Sequence, residues 1–205
     1  MRRQGFTLVE VMVALGVMTI SAMGLFALQG QATRANGRAR DVTMASQIAQ
    51  NVIERLKMDG LAWNTITPGN ITDLGATFWL SAVDTAAPGA FIPMLERPET
   101  RDGNSVVWSN AFDIFGSDVP IAGANAETLA TIKYCASMRL TWVYATRRVM
   151  RADVRVWWST EAPTRSIISD FPRCADDDVR LAPDGLLEAN YHMVYLSTVI
   201  RPHPL

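Results

Sequence analysis

The residue with the most to explain is a carboxylate. In the opening stretch MRRQGFTLVEVMVALGVMTISAMGLFAL, Glu10 is the one ionisable side chain between residues 6 and 28. A charge in a bilayer-length segment costs a few kcal/mol at the membrane centre and less toward the interface. Pairing with a cation would offset that cost, and so would snorkelling to the interface. Four other groups of residues could do chemistry. Cys135 and Cys174 are the only cysteines, too few ligands for zinc without a nearby histidine but enough for a disulfide. In CADDDVRLAPDG, the acids Asp176, Asp177, Asp178 and Asp184 crowd one loop. Such oxygen-rich loops suit calcium, but the spacing is not that of an EF-hand, and a solvated acidic loop has the same composition. Arg147, Arg148 and Arg151 make a basic turn that could meet nucleic-acid phosphates, or could simply keep a hairpin tip soluble. His192 and His203 are the only histidines, and no triad, glycine-rich phosphate loop or Walker lysine accompanies them. Neither an enzyme nor a cofactor is expected.

The elements that would position these residues begin with the apolar run. As a helix, residues 6 to 28 would reach about 35 Å, enough to cross a hydrocarbon core of about 30 Å. Arg2 and Arg3 precede the run, which by the positive-inside rule keeps the N-terminus cytoplasmic and exports everything after Leu28. Both cysteines then fall where oxidation is permitted. From 29 to 58 the chain continues as an amphipathic helix. Val42, Ala45, Ala49, Val52 and Leu56 form one stripe, widened by Ile48 and Ile53, with Arg38, Arg40, Asp41, Glu54, Arg55 and Lys57 on a solvated face. Asp59-Gly60 supplies the stop. Gly24, Gly30 and Gly37 weaken the helix near its exit from the membrane.

Residues 60 to 133 are rich in turn formers and predict long loops with short elements, pinned by Trp63, Phe78, Trp79, Phe91, Trp108, Phe112 and Phe115. Period-two alternation in YCASMRLTWVYA and MRADVRVWWS predicts two strands, joined through TRRV as an antiparallel hairpin. NYHMVYLSTVI is a third strand, apolar on both faces and so expected to be the more covered. A Cys135–Cys174 bridge would fasten the irregular segment 159 to 190 to the sheet, contributing about 4 kcal/mol if unstrained.

With 205 residues, 19 Lys+Arg and 20 Asp+Glu, the chain suits one modest domain attached to its apolar segment. Net charge −1 argues against a general nucleic-acid binder.

A short basic leader ending in Gly5, followed by FTLVEVMVALGVM, resembles the class III leader and N-terminal helix of type IV pilins and type II secretion pseudopilins. The resemblance covers about residues 1 to 35. It implies an α+β type IV pilin fold, in which a long N-terminal helix packs on a C-terminal antiparallel sheet with long loops. It divides the chain into a cleaved leader at 1–5, a transmembrane and filament-core helix at 6–28, an amphipathic helix at 29–58 and an exported head at 59–205. It also implies cleavage between Gly5 and Phe6, N-methylation of Phe6, and contact between Glu10 and the Phe6 amine of a neighbouring subunit. Major pilins commonly carry a proline in the second half of this helix, whereas residues 11 to 28 have none. The chain is more similar to minor pilins of the PilV kind, and next to minor pseudopilins. The implied partners are other minor pilins, the major pilin, the prepilin peptidase, the inner-membrane assembly platform and a tip adhesin. The implied location is the bacterial inner membrane and then a pilus at the cell surface, serving motility or adhesion. A head that binds DNA, calcium or a surface is the alternative of another class.

Overall fold

The computed structural model describes residues 7–63, 74–87, 89–101, 104–144, 148–159, 174 and 191–202. It is an α+β arrangement consistent with the type IV pilin fold, a long apolar N-terminal helix followed by an antiparallel sheet. Helix α1 runs Leu8–Leu61 without a break at Gly24, Gly30 or Gly37. Contacts divide the chain into two units, 1–42 and 43–205. In the first unit nearly every described side chain is exposed, including Leu8, Val17 and Phe26. The helix contains a window long and apolar enough to cross a membrane, with none of that window buried.

The second unit holds the C-terminal part of α1 and all the strands. Strand β1 is Ile92–Pro93, β2 Arg97–Arg101, β3 Asn104–Trp108, β4 Ala111–Phe112, β5 Tyr134–Trp142, β6 Met150–Ser159 and β7 Tyr191–Ile200. The main sheet runs β1-β5-β6-β7, with β4 also paired to β5, while β2 and β3 form a separate hairpin. All pairings are antiparallel. The β5–β6 hairpin has the expected alternation, Met138 opposite Val154 and Leu140 opposite Ala152. Even-numbered residues of β5 and β6 face Ala45, Ile48, Ala49, Val52, Ile53 and Leu56 of α1 in one core. The amphipathic stripe therefore does what its spacing predicts, except that Val42 is exposed.

Four readings are corrected by this packing. Among the described strands β7 lies at the edge, with Tyr195, Ser197 and Val199 exposed, whereas β6 in the middle is the covered one. Composition does not encode sheet order, and a strand apolar on both faces is covered only where strands flank it on both sides. Arg55 is buried, because its guanidinium meets Asp118 from the irregular segment rather than water. Helix α1 passes Asp59-Gly60 and ends at Leu61, with Asp59 turned to another task described below. Among the aromatic pegs, Trp63, Trp79 and Phe112 are buried as expected, but Phe78 and Phe115 are exposed.

The odd-numbered face of the sheet is not solvated throughout. Cys135 and Trp157 join Ala111, Val119 and Cys174 in a second small core. The loop after β4 returns against α1 at Gly116, whose φ of +78° favours glycine. A Cβ there would also stand 2.9 Å from Met44 Sδ.

Candidate functional site

The first turn of α1 carries the residue singled out by its charge. Thr7 Oγ1 accepts from the Glu10 N–H at 3.4 Å, and the Glu10 carboxylate accepts from the Thr7 N–H at 3.4 Å and its hydroxyl at 3.5 Å. This is a long-distance capping box, which satisfies helix-end donors that have no partner one turn back. Its signature, a threonine followed three residues later by a glutamate, was readable as Thr7-x-x-Glu10 but not singled out. Glu10 is exposed, with no cation beside it among the described residues. The carboxylate thus has a local role and retains acceptor capacity for a donor supplied from outside. Gly5 and Phe6, the expected processing residues, lie outside the described residues.

The head is organised around buried acids that collect donors. Asp59 accepts backbone N–H groups of Phe78 at 2.8 Å, Trp79 at 2.8 Å and Leu80 at 3.0 Å, and Arg97 stands 3.7 Å away. Its carboxylate thereby ties the end of α1 to the short 3-10 helix Leu80–Asp84. Arg55 makes a two-pronged contact with Asp118, at 2.7 and 2.6 Å, and its guanidinium lies 4.4 Å from the Trp108 ring centre. Asp118 also accepts from the Ser109 N–H at 2.8 Å. Planar pairing plus a stacked ring is the geometry for which arginine, not lysine, is suited.

On β6, Asp153 accepts from Arg139 at 2.9 Å and Arg151 at 2.8 Å, and from the Ser197 hydroxyl. Burial would raise its carboxyl pKa. The hydrogen bonds from Ser197, Arg151 and Arg139, with the Arg151 charge, outweigh burial and hold it below the usual carboxylate range. Burial pushes the Tyr191 phenol up. Arg155 donates to Ser137 Oγ at 3.2 Å and lies 4.4 Å from the Phe91 ring centre, with Arg139 at 4.7 Å from the same ring.

The members of the candidate basic cluster have different standings. Arg151 is bound to Asp153, Arg148 is exposed, and Arg147 lies outside the described residues. The acids Asp176, Asp177, Asp178 and Asp184, and His203, also lie outside them. His192 is on β7 with its ring 5.6 Å from that of Trp158. Cys135 and Cys174 form a disulfide with Cα atoms 5.3 Å apart. Asn110 adds a second tie there, its side-chain amide donating to the Cys174 carbonyl at 2.9 Å. A cavity of about 410 Å³ beside the 3-10 helix is lined mainly by apolar groups, among them Phe78, Ala86, Phe91, Ile92 and Met138. Among the described residues no ionisable side chain lines it.

Comparison with known proteins finds a motif at the N-terminus and one partial relative. A family model described as the prokaryotic N-terminal methylation motif matches residues 1–26, a span that includes Gly5, Phe6 and Glu10. Over 70 residues the chain is 34% identical to the type II secretion system protein I of Klebsiella pneumoniae. That stretch covers 32% of this chain and 58% of the relative, so the chain spans little more than half of that protein's length. No solved structure matches the chain.

Proposed function

The chain is type IV pilin-like by its N-terminal methylation motif and its likeness to a type II secretion system protein, and from that premise we propose that it is a minor type IV pilin. Its work is assembly rather than catalysis. A prepilin peptidase cuts between Gly5 and Phe6 and methylates the new amine. The subunit then waits in the inner membrane, N-terminus cytoplasmic and head periplasmic, until it joins or primes a filament with other minor pilins, the major pilin and the assembly platform. The observation that carries this reading is the apolar stretch of α1, exposed along its length and interrupted only by Glu10. Such a surface requires lipid or other apolar helices around it. A carboxylate at its start is tolerable in that setting if a cation meets it, and the amine created at Phe6 of a neighbouring subunit supplies one.

A second reading rests on the named relative. A minor pseudopilin of a type II secretion system would use the same N-terminal chemistry in a short periplasmic filament. Co-purification of the processed subunit with pilus components or with secretion components separates the two.

The processing step is tested by Gly5→Ala, which should leave the full-length precursor in the inner membrane by mass. Glu10→Ala should be cleaved normally yet be depleted from recovered filaments. Normal incorporation of Glu10→Ala would refute the pairing.

A further inference from the structure

Among the described strands, the two edges of the main sheet are built differently. At one side β1 is two residues long and ends in Pro93, which has no N–H to offer. At the other side β7 is ten residues long, and YHMVYLSTVI contains no proline and no Lys, Arg, Asp or Glu. Charge, proline and shortness are the usual protections of an exposed edge. Only the β1 side has two of them.

The direction of the β7 backbone groups follows from the ladder. Val143 N–H donates to the Val149 carbonyl at 2.9 Å, and this pair continues the β5–β6 register in which Trp142 faces Met150. Odd-numbered residues of β6 therefore bond to β5, and even-numbered ones turn toward β7. Val154 faces Leu196 and Val156 faces Val194, so the even-numbered residues of β7 bond back to β6. The N–H and C=O groups of Tyr191, Met193, Tyr195, Ser197 and Val199 consequently point away from the sheet. None of them hydrogen-bonds to another described residue.

We propose that this edge pairs antiparallel with β7 of a second copy of the chain, joining two sheets into one. A row of alternating backbone donors and acceptors is matched by another extended backbone, not by lipid or a small apolar ligand. A strand without charge can meet itself without like-charge repulsion. The charges of the adjacent strand β6 do not disturb this, because Arg151 is held by Asp153, and Arg155 is buried and donates to Ser137 Oγ. The first charge beyond the strand, Arg201, is exposed. Antiparallel pairing about a two-fold axis keeps the two copies of Arg201 at opposite ends, whereas parallel pairing would set them side by side.

The test uses the full-length protein in detergent micelles. Single cysteines at Met193, Tyr195 and Val199 are joined by a short bis-maleimide, with Cys135 and Cys174 left in their disulfide. Two-fold pairing brings only the residue nearest the axis opposite its own copy, so one position should crosslink several-fold more than the other two. Val199→Pro, or Tyr195→Pro where position 199 carries the probe, removes one outward N–H without touching the β6 ladder. It should lower the crosslinked dimer about tenfold, the loss expected when an edge hydrogen bond is replaced by a clash. The melting temperature should stay close to that of the parent. Leu196→Pro, which breaks the inward ladder, should lower it and marks what a folding failure looks like. Equal crosslinking at all three positions, indifference to the outward proline, or crosslinking only on addition of a different pilin-like subunit would each overturn the proposal. These outcomes are independent of whether Glu10→Ala is incorporated into filaments.

Discussion

One helix contains two opposite surfaces. Between Leu8 and Arg40, α1 leaves large apolar side chains such as Leu8, Ile20 and Phe26 in the open. Between Ala45 and Leu56 it buries not only Ile48, Val52 and Leu56 but also a charged residue, Arg55. Backbone geometry is the same in both stretches, so local conformation does not decide exposure. What differs is the supply of partners. The head presents a sheet face to the apolar stripe and a carboxylate, Asp118, to the arginine. The first stretch has no such partners among the described residues, and its apolar side chains are left for lipid or for other subunits. In the head polarity is settled internally; at the N-terminus it is left to be settled by others.

That contrast can be broken by removing the internal partners. The largest effect is expected from Cys174→Ser, which opens the tie between β5 and the segment before β7. The loss should be about 4 kcal/mol, read as a lowered urea midpoint of the variant against the oxidised parent protein. Arg55→Ala comes next. It strands Asp118 in a mostly buried position, and removal of one member of a buried pair costs about 3 kcal/mol. Arg55→Met with Asp118→Leu should recover part of that loss, since no charge is then left unpaired. The recovery is incomplete because the Ser109 N–H also loses its acceptor.

A smaller, pH-dependent effect belongs to Asp153. Its native carboxyl titrates below the unfolded value of about 3.9. A depressed pKa contributes stability above the unfolded pKa, and that contribution is lost as pH falls through the native pKa. Urea midpoints measured from pH 6 downward should therefore fall below about pH 4, and Asp153→Asn should make that limb shallower. A limb of unchanged slope in the variant would show that other carboxylates control acid unfolding.

The helix, the hairpin of β5 and β6 and the existence of β7 were legible because hydrophobic period is a local property. Ala45, Ala49, Val52 and Leu56 repeat at helical spacing, and Met138 and Leu140 alternate on a strand. The cysteine pairing was legible by count. What was not legible depends on residues far apart in sequence. Arg55 looks like a solvated charge until Asp118, 63 residues later, is brought to it. Asp59 looks like a helix stop until the backbone of Phe78, Trp79 and Leu80 arrives. Strand order, which makes β6 central and β7 an edge, is a property of the assembled sheet. At the N-terminus the case was reversed: the charge of Glu10 was conspicuous, while its local partner Thr7, a plain threonine, drew no attention.

The smallest effect on the head is expected at Glu10, and it is the one that most sharpens the contrast. Glu10→Ala should change the urea midpoint of the head by less than about 0.5 kcal/mol equivalent, as an exposed residue outside the head's own core. Its consequence belongs to assembly. Two causes could produce that consequence, loss of the capping box with Thr7 or loss of a charge that a neighbouring amine requires. Glu10→Gln separates them, since glutamine serves a capping box as well as glutamate does but carries no charge. Thr7→Ala makes the complementary change, weakening the cap by about 1 kcal/mol while keeping the carboxylate. If charge pairing matters, Glu10→Gln should be depleted from filaments nearly as strongly as Glu10→Ala, and Thr7→Ala much less. If helix capping is the whole role, Glu10→Gln should assemble normally and Thr7→Ala should fail, and Glu10 would then be as internally satisfied as Asp59.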